Sequence, residues 1–395
     1  MSFKQLNLDQ DVLKAINDMG FEKPTKIQTS CIPIIKQGKD VVGRSLTGSG
    51  KTAAFGLPLI EKVEMGNNLQ AIVIAPVREL AHQVADELKK FSKYKKLKIT
   101  TVYGGVSINP QITALKTTNI VVATPGRLLD HMNRGTINTN NVKYLVLDEA
   151  DKMFEMGFIE DIKRIMGKLP RGKQSLLFSA TMPQEVRGLI ERFLNKPVYI
   201  QEDAHVDRSK LKQIYYDIRS HDKFSLLVHL LKHKTDGLAL VFCSRRSEVD
   251  IVAKNLKKQG IHAMAIHGGL TQNRRSNALD ALKDDKIDVL VATEVAGRGI
   301  DIENITQVYS YDCAQTSQEY THRIGRTARA GKSGEAVTLL TPRDHDNFGR
   351  VISDSQITIE KAEVPEFKRV PFDRSRSYGK RRHGGKGRSR RPRRR

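Results

Sequence analysis

Short apolar runs alternate with amphipathic stretches along most of this 395-residue chain, and this alternation is the strongest constraint on its fold. Such alternation is typical of parallel sheets covered by helices on both faces. The sequence therefore predicts an α/β protein with two domains of similar plan. The apolar runs of strand length are Asp40–Gly43, Ala71–Ala75, Ile99–Val102, Ile120–Ala123, Tyr144–Leu147, Ser175–Phe178, Ile214–Asp217, Leu238–Phe242, Ala263–Ile266, Val289–Ala292, Gln307–Tyr309 and Ala336–Leu340. Helical stretches lie between them, for example Arg78–Tyr94, Glu248–Gln259 and Asn273–Lys283.

The length of the chain also suits two domains of average size. We predict a first domain at residues 1–203, a linker at 204–211 and a second domain at 212–365. Residues 366–395 are rich in Arg, Lys, Ser and Gly. Such a composition buries too little apolar surface to offset the entropy of ordering, so this stretch is predicted to be a disordered basic tail.

The formal net charge of +23 points to an anionic polymer as a partner. The stretch Arg374–Arg395 contains 12 Lys or Arg and no acidic residue, which leaves +11 on the rest of the chain. A tail that only aids solubility is the alternative. No apolar run approaches the ~18 residues of a membrane span, and the start lacks a signal-peptide core. With three cysteines that lack metal-like spacing, these features predict a cytoplasmic protein with reduced thiols and no membrane partner.

A glycine-rich run between a predicted strand and a predicted helix indicates a phosphate-binding loop. Its residues are Ser45, Leu46, Thr47, Gly48, Ser49, Gly50, Lys51 and Thr52. The glycines allow a tight turn that aims backbone N–H groups at phosphates, Lys51 would reach the β- and γ-phosphates, and Thr52 would ligate Mg²⁺. The run thus predicts ATP and Mg²⁺ as ligands. The strict pattern has Gly where this chain has Ser45, so a turn without function is the alternative.

Two acidic residues follow the apolar run Tyr144–Leu147. A carboxylate at the end of a buried strand is costly without a cation, so Asp148 is predicted to hold Mg²⁺ together with Thr52. Glu149 would orient a water for in-line attack on the γ-phosphate. A pair of helix-capping acids is the alternative reading.

The second half of the chain supplies a basic motif, His322-Arg-Ile-Gly-Arg-Thr-Ala-Arg329. Arg323 and Arg326 lie three apart, so on a helix they would share a face. Both are candidates for arginine fingers that stabilise charge on the transferring phosphoryl group. A basic surface helix that binds only nucleic acid is the alternative. Since Lys51 lies in the other predicted domain, a shared ATP would require the two domains to close on it.

These residues and further motifs in the same order resemble the DEAD-box RNA helicase family, from about Phe3 to about Leu340. The further motifs are Gly20-Phe-Glu-Lys-Pro-Thr-Lys-Ile-Gln28, which looks like the adenine-reading Q motif, Pro76-Val-Arg-Glu-Leu-Ala81, Gly104-Gly105, Thr124-Pro-Gly-Arg127, Ser179-Ala-Thr181, Gln272 with Arg275, and Arg298-Gly-Ile-Asp301. The resemblance implies tandem RecA-like domains and an ATP-dependent RNA helicase. Such an enzyme would close two lobes on ATP and single-stranded RNA, and would open short duplexes or remodel RNA–protein complexes. The short core with an Arg-rich tail looks similar to bacterial members.

The resemblance also implies roles for individual residues. Gln28 would pair with the adenine edge, since an amide offers both a donor and an acceptor, and Phe21 would stack on the base. A capping Gln and a core Phe are the alternatives. Asp301 maps near the ribose. The residues implied to couple hydrolysis to strand separation are Asp151, Ser179, Thr181 and His322.

The resemblance further implies an RNA site that reads the backbone. Its residues are Arg78, Gly105, Thr124, Gly126, Arg127, Arg275, Thr293 and Gly297. Backbone N–H groups, hydroxyls and guanidinium groups suit phosphates and carry no base code, so binding of single-stranded RNA or short duplexes would be largely sequence-nonspecific. Ribonucleoprotein or RNA-degradation complexes are further expected partners. A non-catalytic RNA-annealing protein and a translocating DNA helicase are the rival functions.

The chain departs from the family pattern at four positions. Val77 stands in place of Thr, Glu294 in place of Asp, Gly297 in place of Ala, and Ala328 in place of Gly. None of these changes removes a phosphate, metal, water or finger group. They bear on the coupling between domains and on RNA affinity rather than on hydrolysis.

Overall fold

The protein folds into two domains, each built on a seven-stranded sheet in which every strand pair is parallel. The computed structural model describes residues 2–45, 48–202, 211–234, 237–284, 286–297, 305–328, 333–354 and 357–375. The strands of the first domain are β1 (Val41–Arg44), β2 (Ala71–Ile74), β3 (Ile99–Val102), β4 (Ile120–Ala123), β5 (Tyr144–Leu147), β6 (Gln174–Ser179) and β7 (Val198–Gln201). Those of the second are β8 (Leu211–Asp217), β9 (Leu238–Cys243), β10 (Ala263–Ile266), β11 (Val289–Thr293), β12 (Ile305–Ser310), β13 (Gly334–Leu340) and β14 (Glu360–Lys361).

Helices connect most of these strands. In the first domain they are α1 (Gln10–Asp18), α2 (Lys26–Lys36), α3 (Lys51–Lys62), α4 (Arg78–Phe91), α5 (Asn109–Leu115), α6 (Pro125–Asn133), α7 (Ala150–Glu155), α8 (Ile159–Lys168) and α9 (Gln184–Phe193). In the second they are α10 (Lys223–Lys232), α11 (Arg246–Lys258), α12 (Gln272–Lys283), α13 (Glu294–Gly297), α14 (Ser317–Ile324) and α15 (His345–Ile352). None of the helices in the described ranges is long and apolar enough to cross a bilayer.

The two sheets have the same strand order. It is β3-β4-β2-β5-β6-β1-β7 in the first domain and β10-β11-β9-β12-β13-β8-β14 in the second. If β8–β14 are renumbered from one to seven, the strand order of the second sheet is identical to that of the first. The prediction of two α/β domains of similar plan, each with a parallel sheet, is therefore confirmed.

Helices cover both faces of each sheet, which explains why the strands are continuously apolar. In β2, Ala71 and Val73 pack in a buried cluster with residues of α2, α3 and α4. Ile72 and Ile74 point to the other face and pack with residues of α6, α8 and α9. Strand β9 alternates in the same way between two clusters. Each strand thus contributes apolar side chains to two cores.

The carboxyl ends of the central strands in the first domain bring three sequence motifs together. Strands β1, β6 and β5 are consecutive neighbours in the sheet. Ser45 follows β1, Ser179 ends β6 and Asp148 follows β5. Ligand sites of open α/β sheets form at this edge. The fold therefore places the phosphate-loop, acidic and coupling motifs side by side.

Residues 362–375, here called the C-terminal strap, pack against the second domain. Phe367, Val370 and Phe372 are partly buried against its core. The Phe372 ring lies 4.5 Å from the ring of Phe224 in α10, measured between centroids. Asp373 accepts a hydrogen bond from Lys258 at 2.8 Å.

The predicted boundaries need two corrections. The tail was expected from residue 366, but residues 366–375 belong to the strap, because their apolar side chains pack on the core of the second domain and their backbone bonds to Ser225 of α10 and Asn255 of α11. Leu211, predicted as the last linker residue, begins β8. The remaining residues of the predicted linker and tail, 204–210 and 376–395, lie outside the described ranges.

Candidate active site

The phosphate-binding run forms the turn between β1 and α3. Gly48 and Gly50 have φ angles of 84° and 91°, a left-handed conformation that glycine adopts without strain. A Cβ atom at Gly50 would lie 2.4 Å from Nε2 of Gln28, so the turn also requires the space. Lys51 and Thr52 begin α3, whose first N–H groups and dipole favour an anion. Leu46 and Thr47 lie outside the described ranges.

Side chains of the loop are held by residues near its base. Lys51 is buried and donates from Nζ to the Ser45 carbonyl oxygen at 3.1 Å. The Ser45 hydroxyl lies 2.5 Å from the Ser49 hydroxyl and 3.0 Å from Oε2 of Glu202. Ser45, which departs from the strict pattern, therefore ties the loop to the end of the first domain.

Asp148 is a buried carboxylate suited to a cation. It is 2% exposed, and burial raises its pKa to about 6, with Lys51 opposing that rise. Its Oδ1 has no hydrogen-bond partner among the described residues. Buried polar atoms without partners are uncommon, and Mg²⁺ binds through one or two protein oxygens together with substrate phosphates. The donor set of Asp148 and Thr52 fits that mode, and within the described part of the chain no cluster of three or more His, Cys, Asp or Glu could hold a metal by itself.

Glu149 has an unusual backbone and a buried partner. Its φ of 56° and ψ of 53° place it in the left-handed region, at the N-cap of α7. Its Oε2 lies 2.6 Å from Nζ of Lys152, and both side chains are 3% exposed. Burial favours a higher pKa for Glu149, but Lys152, Lys51 and Arg326 together hold the pKa well below its usual range. Burial lowers the pKa of Lys152 to about 8. The sequence reasoning missed Lys152, although its i,i+3 spacing from Glu149 was a signal.

Both domains contribute to a cavity of about 20 Å³, which is the size of one water molecule. Its lining includes Lys51, Glu149, Asp151 and Lys152 from the first domain, and His322 and Arg326 from the second. The structure thus brings predicted catalytic residues of both domains together.

The two candidate finger residues occupy different places. Helix α14 ends at Ile324, so Arg326 lies beyond the helix, and the prediction that the two arginines share a helical face is wrong. Arg326 faces the cavity. Arg323 is 1% exposed and is held within its own domain by ion pairs with Glu294 and Glu319. Its role as a finger remains a prediction.

The coupling residues form a hydrogen-bond network that reaches across the domains. Asp151 Oδ2 accepts from the Thr181 backbone N–H at 2.8 Å and from the Thr181 hydroxyl at 2.9 Å. The Asp151 N–H donates to the Ser179 hydroxyl at 3.1 Å. From the second domain, Gln318 donates to the Thr181 hydroxyl at 3.3 Å and to Glu155 at 3.0 Å. Gln318 was not found by sequence reasoning, because its contacts lie more than a hundred positions away.

Gln28 and Phe21 have structural contacts of their own. Gln28 accepts from the Thr25 N–H at 2.9 Å in a capping box and donates to the Gly50 carbonyl at 3.1 Å. An amide that makes these two bonds retains one N–H and one lone pair for a ligand. The Phe21 ring lies 6.0 Å from that of Phe3 and 6.2 Å from that of Phe91, as expected of a core side chain. Their predicted contacts with adenine stay predictions, and Asp301 lies outside the described ranges.

A second cleft of about 570 Å³ lies between the domains and collects most of the predicted RNA residues. Those in its lining are Arg78, Thr124, Gly126, Arg127 and Arg275. Arg275 crosses the cleft to Glu79, with 2.8 Å between Nη2 and Oε2. Nη1 of Arg127 and Nε of Arg275 are buried without partners among the described residues. Donors of this kind suit an anionic ligand.

Three predicted RNA residues lie outside this lining. Gly105, with a φ of 80°, packs behind Arg78, because a Cβ atom there would lie 2.3 Å from Nη2 of Arg78. Thr293 ends β11 and is buried. Gly297 packs on Phe242, whose Cε1 atom would lie 2.5 Å from an added Cβ. Their contacts with RNA stay predictions.

The departures from the family pattern have local structural explanations at two positions, Glu294 and Gly297, and nothing in the structure explains alanine at position 328. Glu294 reaches Arg323, with 2.8 Å between Oε2 and Nε. Alanine at Gly297 would collide with Phe242, so glycine fits the space. Ala328 has a φ of 55°, a left-handed conformation that costs an L-residue about 1–2 kcal/mol. Val77 is the N-cap of α4 and lines the second cleft.

Comparisons with known proteins agree with this arrangement. Residues 25–189 match the DEAD/DEAH box helicase family, and residues 222–331 match the helicase conserved C-terminal domain. The chain is 46% identical over 368 residues to the DEAD-box ATP-dependent RNA helicase CshA of Bacillus subtilis, covering 92% of this chain and 74% of that one. It is 45% identical over 367 residues to the protein of the same name from Geobacillus kaustophilus, covering 92% and 79%.

Solved structures extend the similarity to the arrangement of the domains. A DEAD box protein from Methanococcus jannaschii is 42% identical, with 92% of this chain and 99% of that one covered and a TM-score of 0.56. S. cerevisiae Dbp5 bound to RNA and ADP BeF3 is 29% identical, with 91% and 95% covered and a TM-score of 0.83. A Dbp5 variant bound to Nup159, Gle1, IP6 and ADP has a TM-score of 0.64. The two domains are therefore arranged more as in the complex with RNA and ADP BeF3.

Proposed function

We propose that this chain, which belongs to the DEAD-box family of ATP-dependent RNA helicases, uses ATP hydrolysis to open short RNA duplexes locally or to remodel RNA–protein complexes. The observation that carries this proposal is the shared cavity, where Lys51 and Glu149 of the first domain face Arg326 of the second. Neither domain holds the whole set, so hydrolysis requires the two domains to close. Closure on ATP and single-stranded RNA links the reaction to the RNA.

The chemistry at the shared cavity follows from the charges of its residues. The N-terminus of α3 and Lys51 bind the phosphates of ATP, and Glu149 orients the attacking water. Arg326 stabilises the charge that develops on the transferring phosphoryl group. Asp148 and Thr52 would hold Mg²⁺, which neutralises phosphate charge when bound.

The other predicted residues support substrate binding and positioning. Gln28 keeps the donor and acceptor needed to read adenine, and Phe21, which is partly buried, is proposed to stack on the base. Arg323, the second candidate finger, joins α14 to α13 through its ion pair with Glu294, and so supports the position of Arg326.

The second cleft is proposed to bind the RNA backbone. Arg78, Arg127 and Arg275 present guanidinium groups there, and the hydroxyl of Thr124 lies with them. Such groups bind phosphates without reading bases, so binding is largely sequence-nonspecific. The hydrogen bonds from Asp151 through Thr181 to Gln318 support coupling between the acidic motif and domain closure. Cellular partners are ribonucleoprotein or RNA-degradation complexes, and the protein works in the cytoplasm.

The tail is proposed to tether RNA near the core. The described chain ends at Ser375, whose carbonyl oxygen lies beside Lys254 of α11. The 12 positive charges from Arg374 onward would hold RNA electrostatically and raise its local concentration.

The test is the RNA-stimulated ATPase rate of Glu149→Gln. Glutamine keeps the shape but not the carboxylate, so turnover at saturating ATP and RNA should fall by about 10²–10⁴-fold. Glu160→Gln is a matched control, since Glu160 also bonds a lysine three positions later but is exposed. Turnover of Glu149→Gln at the wild-type rate would contradict the proposal. Replacing RNA by DNA of the same sequence distinguishes the DNA helicase, which both polymers would stimulate alike.

A further inference from the structure

Lys152 is a buried cation for which the proposed reaction has no role so far. Its Nζ atom lies 2.6 Å from Oε2 of Glu149, and both side chains are 3% exposed. Burial of a lysine is costly unless a carboxylate compensates it, and here the carboxylate is the one proposed to orient water. The pair lies in the lining of the cavity between the domains.

The same spacing elsewhere in the chain gives a different environment. Glu160 and Lys163 also lie three apart, with 2.6 Å between Oε1 and Nζ, but their side chains are 71% and 36% exposed. Exposed ion pairs of this kind contribute little to the stability of the fold. Burial therefore distinguishes Glu149–Lys152 from an ordinary helical ion pair.

Two other cations compete with Lys152 for the Glu149 carboxylate. Lys51 and Arg326 line the same cavity, and both attract the Glu149 carboxylate. Without Lys152, Lys51 and Arg326 would remain as the cavity cations that attract the carboxylate, and the reaction needs both for phosphates. The left-handed backbone of Glu149 fixes only the start of its side chain.

We propose that Lys152 is a positioning residue for ATP hydrolysis, holding the Glu149 carboxylate in the orientation that directs water at the γ-phosphate. The inference rests on the proposed role of Glu149 and adds a residue that neither the sequence motifs nor the family matches assign. Lys152 acts through Glu149 and contacts neither ATP nor RNA in this role.

The experiment measures kcat and KM for ATP at saturating RNA in the full-length protein. Lys152→Met removes the charge at similar length, Lys152→Arg keeps it, and Lys163→Met is the control from the exposed pair. Misplacement of a catalytic group by about 1 Å can lower the reaction rate about 100-fold, so kcat of Lys152→Met should fall by about 10- to 100-fold. KM for ATP should change less than about threefold, and the affinity for ADP, which lacks the attacked phosphate, should stay within about twofold. Lys152→Arg should retain several-fold more activity than Lys152→Met.

A double-mutant cycle with Glu149→Gln separates positioning from stability. If Lys152 acts through Glu149, Lys152→Met should cause no further loss in that background. The double variant removes both charges of the buried pair, so it should fold even if Lys152→Met alone unfolds, and thermal unfolding checks this.

Two results would overturn the inference. One is a kcat of Lys152→Met within twofold of Lys163→Met, and the other is an equal additional loss in the Glu149→Gln background. The proposed function fails separately, because it predicts an inactive Glu149→Gln whatever Lys152 does.

Discussion

Substitution of Gly105 by alanine tests whether Arg78 is held in position for RNA. Gly105 has a φ of 80°, and a Cβ atom there would lie 2.3 Å from Nη2 and 2.8 Å from Cζ of Arg78. Ordinary contacts of a Cβ atom begin near 3.4 Å. The guanidinium group would therefore have to move by about 1 Å or more, because overlap at this distance is strongly repulsive.

The loss of RNA affinity can be worked from this displacement. A hydrogen bond to a charged group contributes about 1.5–3 kcal/mol, and a displaced Arg78 would lose the bond to an RNA phosphate that is proposed for it. A loss of about 2 kcal/mol raises the half-saturating RNA concentration by about 30-fold. ATP turnover without RNA should stay unchanged, because Arg78 lies outside the lining of the cavity that contains Lys51 and Glu149.

Gly38 offers a control that isolates the backbone strain. Its φ of 81° matches that of Gly105, but an added Cβ would have no atom within 4 Å. Gly38→Ala should therefore lose about as much stability as Gly105→Ala, about 1 kcal/mol, and keep the half-saturating RNA concentration of the wild type. The assay is ATP turnover against the concentration of a single-stranded RNA, with thermal unfolding in parallel. Equal half-saturating RNA concentrations for the two variants would refute the reasoning.

Two further predictions concern the strap and the thiols. Phe372→Ala removes a half-buried ring packed against Phe224 and should lower the free energy of unfolding by about 2 kcal/mol. Val364→Ala is the control, at a residue that is 44% exposed, and should change the free energy of unfolding by less than about 0.5 kcal/mol. Equal losses for the two variants in urea unfolding would contradict the packing of the strap. Burial raises the pKa of the Cys31 and Cys313 thiols to about 12 and that of Cys243 well above its usual value, so at pH 8 all three stay protonated. A thiol reagent should therefore label them slowly in the native protein and completely after unfolding, and fast stoichiometric labelling of the native protein would show the burial to be wrong.

Most strands were predictable because a strand that is buried on both faces of its sheet is a continuous apolar run in the sequence. Ala71–Ile74 and Tyr144–Leu147 are continuous apolar runs of strand length, and both form central strands. Strand β14 was not predictable, because it has two exposed residues, and only pairing with Ile214 and Tyr215 of β8 makes it a strand. Strand β7 lies at a sheet edge and is half-exposed, so it lacks the same signal.

The candidate site was predictable where local backbone geometry determines the residue type. The glycines at 48 and 50 have the left-handed φ angles that their position in the turn requires. Residue type does not report burial or distant partners, and for this reason the structure places some site residues differently from the prediction. Arg323 and Arg326 have the same side chain, but one pairs with acids of its own domain and the other faces the cavity. Lys152 looks like a solvated charge in the sequence and is buried in the structure.

The strap also determines which part of the enzyme carries the positively charged extension. Its hydrogen bonds to Asn255 and its ion pairs with Lys254 and Lys258 all anchor it to α11. The basic extension proposed to tether RNA therefore follows directly from a segment fixed to the second domain. If the domains open and close as proposed, RNA bound by the extension would move together with the second domain.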